Sequence, residues 1–213
     1  TVYGQTETSP VLTQTFPDDS EEDICNTVGQ PLPNKDIAIL DTQTSEVLPL
    51  DTIGEICSRG YCNMLRYNDN PEATKATIDA SGWLHTGDLG SMDERGYVKI
   101  TGRLKEMIIR GGENLFPAEI ENTLLEHPAV AEVAVVGIPD PKWGEIVGCF
   151  IRPVDDKPEI PELIAHCRQY LSPVKTPTKW MFVEEWPLTG SGKIQKFNLL
   201  ENFEQGAYQE ETA

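Results

Sequence analysis

Positive charge is what this chain has least of. Lysine and arginine together number 17 against 35 aspartates and glutamates, a formal charge of −18 over 213 residues. A field of that sign argues against nonspecific binding to nucleic acid or to an anionic membrane. It leaves small anionic ligands open, because the cations Arg103, Lys105, Arg110, Lys193 and Lys196 gather in a few short motifs. The five cysteines form no C-x-x-C pair and no Cys/His zinc spacing. Their odd number fits free thiols in a reducing compartment. No apolar run approaches the roughly 18 residues of a membrane span, and no signal peptide is present. The chain also lacks an initiator Met, opening on Thr1-Val-Tyr-Gly-Gln. It reads as cut from something longer, in which case any targeting segment is missing with the rest.

A nucleotide-binding Walker loop is missing too. Gly190-Ser-Gly192-Lys193 suggests one, but Pro187 stands where the first glycine of G-x-x-x-x-G-K-[ST] belongs, and Ile194 replaces the Mg²⁺-binding hydroxyl residue. There are no internal repeats and no low-complexity linkers.

What is present changes character near residue 103. Before it, short apolar or alternating runs predict strands at Asp36–Leu40, Gly54–Ser58 and Tyr97–Thr101, and a helix over Glu72–Ile78 after Pro71. The acidic run Asp18–Asp23 reads as a solvated loop or a helix start. This half is predicted to be a small distorted β-barrel or sheet. After it, Met107–Ile109, Ala131–Gly137, Ile146–Arg152 and Trp180–Val183 predict strands, the middle two joined by a Pro139–Gly144 loop. Helices are predicted from Pro117 to about Glu126, over Glu159–Leu171 and over Gln195–Phe203. The second half is therefore an α+β domain with its own core. The short junction at Arg103–Glu106 suits a hinge better than a flexible tether.

Four segments carry candidate chemistry. Tyr3-Gly-Gln-Thr-Glu7 offers an aromatic ring, a bare backbone at Gly4, a hydroxyl and a carboxylate within five residues. An ATP site can use all four, and a strand end turning into a loop explains them equally well. Thr86-Gly-Asp88 reads as the end of a turn after Trp83. Asp88 is either a turn cap or an acceptor for both hydroxyls of a ribose. His85, His127 and His166 read as structural polar residues. Gly102-Arg-Leu-Lys105 is followed by Gly111-Gly112, which lets a thin ligand pass against the backbone or makes a plain hairpin turn. Lys193 is a positive charge on a glycine loop that can approach an anion closely.

In this order and spacing the four segments resemble the C-terminal part of the adenylate-forming superfamily: acyl-CoA synthetases, firefly-type luciferases and peptide-synthetase adenylation domains. Gly111-Gly-Glu-Asn114, Phe116-Pro-Ala-Glu119, Gly148-Cys-Phe150 and Gly192-Lys-Ile-Gln-Lys196 are most similar to medium-chain fatty acyl-CoA synthetases. The resemblance runs from Tyr3 to about Phe203. It implies an α+β architecture, with residues 1–103 the β-rich end of a large AMP-binding domain, 104–206 a mobile lid domain and 207–213 a tail. It implies that Tyr3 lies by the adenine, that Gly4 belongs to the nucleotide site, that Thr6 meets the α-phosphate and that Glu7 meets Mg²⁺. Asp88 and Arg103 would hold the ribose, Lys105 would be the hinge and Lys193 the catalytic lysine of adenylation. Gly111, Gly112 and Trp143 would line the path of coenzyme A.

The implied reaction is that of an ATP-dependent fatty acid–CoA ligase, passing through an acyl-adenylate. The family's phosphate loop and most of its acyl pocket lie ahead of the segment matching Tyr3, so the isolated chain is expected to be inactive and to self-associate through a truncated face. The alternatives are an adenylation domain loading a carrier protein and a non-catalytic nucleotide- or CoA-binding module. The expected location is cytoplasmic, or the mitochondrial matrix if a transit peptide precedes Thr1.

Overall fold

A computed structural model describes residues 1–190 and 192–211. Ser191 of the glycine loop, and Thr212 and Ala213 of the predicted tail, lie outside the described residues. The chain divides into two compact units, Thr1–Lys105 and Glu106–Ala213. The fold class is mixed α+β, with helices few and strands many.

In the first unit, β1 (Val2–Gly4), β2 (Val11–Gln14) and β3 (Gln30–Pro31) make a small antiparallel sheet. The strands β4 (Lys35–Leu40), β5 (Gly54–Gly60), β6 (Leu84–Met92) and β7 (Val98–Arg103) make a second, each pairing with the next in antiparallel order. The strand-rich character expected of this half is thus carried by a three-stranded and a four-stranded antiparallel sheet. Tyr3, Leu12, Ile39, Ile56, Cys62 and Val98 form the apolar cluster. The acidic run does start a helix, α1 (Glu21–Asn26), capped by the Ser20 hydroxyl accepting from the Asp23 amide at 3.1 Å. It is not all solvated, however. Asp23 is buried and accepts from both terminal nitrogens of Arg95, at 3.1 and 2.8 Å. A second helix, α2 (Pro71–Thr77), begins where Asn70 caps the Ala73 amide and Pro71 occupies the first turn.

The turn predicted at Thr86–Asp88 is instead the middle of β6. The turn chemistry survives as an irregularity within the strand: Thr86 to Asp88 have no partner in the β5 register, Gly87 has a φ of 75° and the Asp88 amide donates to Thr86 Oγ1, while Asp88 pairs with Arg103 of β7.

In the second unit, β8 (Ile108–Arg110) and β9 (Glu113–Leu115) form a hairpin, and α3 (Pro117–Leu125) follows. A long antiparallel pair, β10 (Val130–Asp140) and β11 (Gly144–Pro153), makes the centre. The predicted Pro139–Gly144 loop is shorter than expected because the strands extend into it, and Asp140 closes the turn by accepting from the Lys142 and Trp143 amides at 2.9 and 2.8 Å. Then come α4 (Ile160–Tyr170), β12 (Lys179–Phe182) parallel to β11, and α5 (Lys196–Glu204). The predicted tail contains β13 (Glu210–Glu211), which pairs with β12.

Alternate residues of the central strands feed two separate cores. Val133, Val135, Val147, Cys149, Ile151 and Trp180 pack with Ile120, Leu124, Leu163 and Cys167 of α3 and α4. Ala134, Val136, Ile138, Phe150 and Met181 pack with Leu199 of α5. Both faces are covered, which is why β10 and β11 read as apolar runs and not as alternation.

Phe150 is fully buried and meets the rings of Tyr208 and Phe203 edge-on, with centroids 5.1 and 6.3 Å away. Phe150→Ala should remove about 3–5 kcal/mol from the unfolding transition of the second unit. Denaturant titration should show that transition moving while the first unit's stays in place. A separate acid limb belongs to the first unit. Hydrogen bonds from Arg95, then Ser20, hold the Asp23 carboxyl below its usual range. Its contribution is therefore present above the ordinary carboxylate pKa and lost as pH falls through the lowered folded value. Asp23→Asn should lower stability at neutral pH and flatten the acid limb, as read by thermal unfolding across pH.

Candidate nucleotide site

Three of the predicted nucleotide residues meet in the first unit. Asp88 sits on β6 directly opposite Arg103 on β7, whose Nε lies 3.3 Å from Asp88 Oδ1. Tyr3, on β1, reaches the same carboxylate from the other side and donates its hydroxyl to Oδ2 at 2.9 Å. Thr86 completes the cradle. Its hydroxyl accepts from the Asp88 amide at 3.1 Å and donates to the Ile56 carbonyl at 2.6 Å. The Asp88 side chain is mostly sheltered while Arg103 is largely exposed. This is a carboxylate held in place with lone pairs left over, beside an exposed cation. Such a carboxylate can accept from a pair of vicinal hydroxyls.

Tyr3 differs from an open stacking platform. Its ring lies in the apolar cluster with Leu12 and Ile56. Burial, together with the charge of Asp88, pushes the phenol well up, so it remains a donor. Gly4 also has a structural explanation. A Cβ there would lie 1.8 Å from the Pro10 carbonyl oxygen, so the close β1–β2 approach alone demands glycine.

Thr6 and Glu7 lie in a short 3-10 turn, Thr6–Thr8, closed by the buried Thr8 hydroxyl donating to the Gln5 carbonyl at 2.9 Å. Thr6 is exposed, and Glu7 is half-buried with Oε1 accepting from the Tyr67 hydroxyl at 3.0 Å. Tyr67, Thr86 and Tyr3's link to Asp88 are features that residue types alone do not reveal, because each joins positions far apart in the chain.

In the second unit, Gly111 and Gly112 form the two-residue turn between β8 and β9, with φ of 59° and 88°. Positive φ at both positions marks the twisted turn that two-residue hairpins prefer. The turn is packed on Trp143: the Gly111 amide donates to the Trp143 carbonyl at 2.8 Å, and a Cβ on Gly111 would lie 3.0 Å from the indole. Trp143 is 43% exposed, with Lys142 Nζ 4.7 Å and the Arg110 guanidinium 5.9 Å from its ring centroid. The surface is a flat aromatic face rimmed by cations, beside a backbone with no side chain.

The cations of the motifs are not one cluster. Lys196 is an internal tie, 2.7 Å from Glu106 and 2.8 Å from Glu121. Arg110 is engaged with the Val174 carbonyl. Lys105 is exposed in the 3-10 turn Leu104–Glu106. Lys193 is exposed on a loop closed by its own backbone, with its amide donating to Thr189 Oγ1 at 3.0 Å and its carbonyl accepting from the Thr189 amide at 2.8 Å. Its ammonium has no hydrogen-bond or ion-pair partner among the described residues.

Comparison with known proteins gives the class. The AMP-binding enzyme family matches residues 1–68, and the AMP-binding enzyme C-terminal domain matches residues 119–193. The chain belongs to the adenylate-forming superfamily that these families describe. It is 47% identical over 200 residues to YngI of Bacillus subtilis, a protein provisionally named as an acyl-CoA synthetase, covering 93% of this chain and 36% of YngI. It is 45% identical to the mitochondrial medium-chain acyl-CoA ligase ACSF2 of Bos taurus, covering 95% of this chain and 33% of that protein. The chain thus spans about a third of the length of these relatives. Among solved structures, o-succinylbenzoate CoA synthetase of Bacillus subtilis with its acyl-adenylate intermediate superposes with a TM-score of 0.86 at 34% identity, over 93% of this chain and 40% of that one. An ATP-bound RpMatB–BxBclM chimera superposes at 0.87 with 35% identity, over 96% and 40%. No helix among the described residues is long and apolar enough to cross a membrane.

Gly111→Ala should destabilise the second unit by about 1–2 kcal/mol from the left-handed backbone, plus a steric part from the indole. Trp143→Ala in the same chain removes the steric part alone. A double-mutant cycle by denaturant unfolding should return a coupling above about 0.5 kcal/mol. Gly112→Ala, with open space at its Cβ, should show no coupling to Trp143.

Proposed function

We propose that this chain supplies the ribose grip, the adenylating lysine and the CoA-facing hairpin of an ATP-dependent fatty acid–CoA ligase. The observation that carries the reading is Asp88, a sheltered carboxylate fixed by the Tyr3 hydroxyl and flanked by Arg103. The names of YngI and ACSF2 support the acyl-CoA product.

In the first half-reaction a fatty carboxylate oxygen attacks the α-phosphorus of ATP. A new P–O bond forms, pyrophosphate leaves, and acyl-AMP remains. Asp88 and Arg103 hold the ribose hydroxyls, Tyr3 and Gly4 border the adenine, and Thr6 donates to the α-phosphate. Negative charge grows on the phosphoryl oxygens, and the unpaired Lys193 ammonium is the cation that meets it. Glu7 fits the role of a Mg²⁺ carboxylate. One of its oxygens is oriented by Tyr67, and magnesium on a nucleotide takes one or two carboxylates, with phosphates and water for the rest. When bound, the ion would neutralise phosphate charge.

In the second half-reaction the CoA thiol, with an unperturbed pKa of about 8.5, attacks the acyl carbonyl and AMP leaves. The Gly111-Gly112 turn, with Trp143 beside it, offers the narrow pantetheine a surface without side chains. Lys105, where the chain passes from one unit to the other, is the pivot between the two half-reactions. The acid would be a fatty acid, and the missing share of the relatives' length would supply its pocket. Exposed apolar residues of the first unit, such as Tyr61 and Leu65, would meet that share or a second copy of the chain.

In the full-length parent enzyme, Lys193→Ala should lower ATP–pyrophosphate exchange by about 10²–10³ while leaving thioester formation from supplied acyl-AMP near normal. Bulky replacement of Gly112 should do the reverse. Equal loss of both half-reactions in Lys193→Ala would make the lysine a structural cation and overturn the assignment. The 213-residue chain alone should show no exchange, because ATP and acid cannot be positioned together.

A further inference from the structure

The first unit holds a second constellation, on β5 and β6, that the ribose grip does not use. Glu55 and Cys57 are two apart on β5 and present to the same side of the sheet. Cys57 pairs across the strands with His85 on β6. The three donors converge: His85 Nδ1 lies 2.7 Å from Glu55 Oε2 and 3.5 Å from Cys57 Sγ. All three ligand atoms lie within 4.8 Å of one another.

The arrangement is unbalanced as a hydrogen-bonded cluster. One imidazole nitrogen faces a carboxylate, which needs a donor, and also a thiol, whose own proton needs an acceptor. As a donor it serves the carboxylate, which leaves the thiol proton without an acceptor on the ring. The charge within the protein balances only if His85 is protonated between two carboxylates. Glu55 is 7% exposed on its side chain, and the far ring nitrogen of His85 faces a second carboxylate, Asp79 Oδ2, at 3.7 Å. Among the described residues no lysine or arginine pairs with Glu55 or Asp79. A sheltered carboxylate without a fixed cation is unfavourable.

We propose that Glu55, Cys57 and His85 form a three-ligand site for a zinc-class divalent cation, with the fourth position open. Tetrahedral zinc bonds of about 2.0–2.3 Å place a nitrogen and a sulfur about 3.6 Å apart. The observed His85–Cys57 separation is 3.5 Å. Nitrogen and oxygen ligands stand about 3.4 Å apart, so the Glu55 carboxylate withdraws by less than an ångström. Sulfur, nitrogen and oxygen donors together select zinc or cobalt over magnesium. On binding, the Cys57 thiol gives its proton to solvent, and His85 coordinates through Nδ1 with its Nε2 proton directed at Asp79. That carboxylate behind a ligating histidine is the usual brace of such sites. The ion enters past His85, whose side chain is 20% exposed. Glu55 ligates through Oε2, and its Oε1 continues to accept from the Gly87 amide at 2.9 Å. The ion therefore stiffens the strand that carries Asp88 without occupying the nucleotide's place.

Cobalt(II) titration of the reduced 213-residue chain tests this. The expected result is a thiolate-to-cobalt charge-transfer band saturating at one equivalent and displaced by one equivalent of zinc. Cys57→Ser should abolish the band in a chain that circular dichroism shows to be folded. Asp79→Asn keeps the acceptor oxygen that caps the Ser81 and Trp83 amides and should weaken cobalt binding about 10–100-fold. His85→Gln should weaken it at least as much, and these two variants decide the matter if Cys57→Ser does not fold. Absence of the band in the folded wild-type chain, persistence of the band in Cys57→Ser, or unchanged affinity in both Asp79→Asn and His85→Gln would overturn the site.

Discussion

The register of β6 is the constraint on which the first unit turns. This strand pairs with β5 on one side and β7 on the other, and it carries His85, Thr86 and Asp88 within four residues. Side chains in a strand alternate with period two, so a slip of one residue would send each of them to the opposite face. With the register as it is, Asp88 stands opposite Arg103 and His85 stands opposite Cys57. The Thr86 hydroxyl, bonded to the Ile56 carbonyl, ties the strand at its middle. The irregularities at Glu55/Cys57 and Leu89/Gly90 are where the ladder adjusts so that both constellations can coexist on one short strand.

The second unit was the more legible from sequence. Its helices carry apolar residues at helical spacing, and Pro117 marks a first turn, so α3, α4 and α5 appear within one or two residues of their predicted bounds. Its central strands were legible as apolar runs because both faces are buried. β6 was not legible. Thr86-Gly87-Asp88 keeps a turn-like backbone at Gly87, and the strand shows only in its pairing to either side of that irregularity. The site residues were individually ambiguous, and resemblance across four motifs singled them out. What neither route reveals is their mutual support, since Tyr3 and Asp88 are 85 positions apart and Tyr67 and Glu7 are 60 apart. The Gly111-Gly112 pair is the hairpin turn of one of its two readings, and the same two residues leave bare backbone beside an aromatic face.

Scarce cations are placed with economy. Arg95 is spent on Asp23 and Asp93, Lys175 on Glu119, and Lys196 on Glu106 and Glu121. These ties join turns and helices to one another and leave nothing for a ligand. Lys193 stands apart because its loop is closed by backbone and by Thr189, so no carboxylate is recruited to hold it. In a chain of net charge −18, an ammonium kept clear of acids is one of few centres an incoming polyanion can meet favourably.

The pairing of β13 with β12 bears on how the protein behaves in concentrated solution. Glu210 and Glu211 form the last pairing at that side of the sheet, and each is anchored by a lysine, Lys179 at 2.7 Å and Lys157 at 3.3 Å. Both ion pairs are partly exposed, so dissolved salt weakens them. When they loosen, the β12 backbone is uncovered, and an uncovered strand is a template for another molecule's chain. Ionic strength thereby bears on this edge through two lysines and two glutamates.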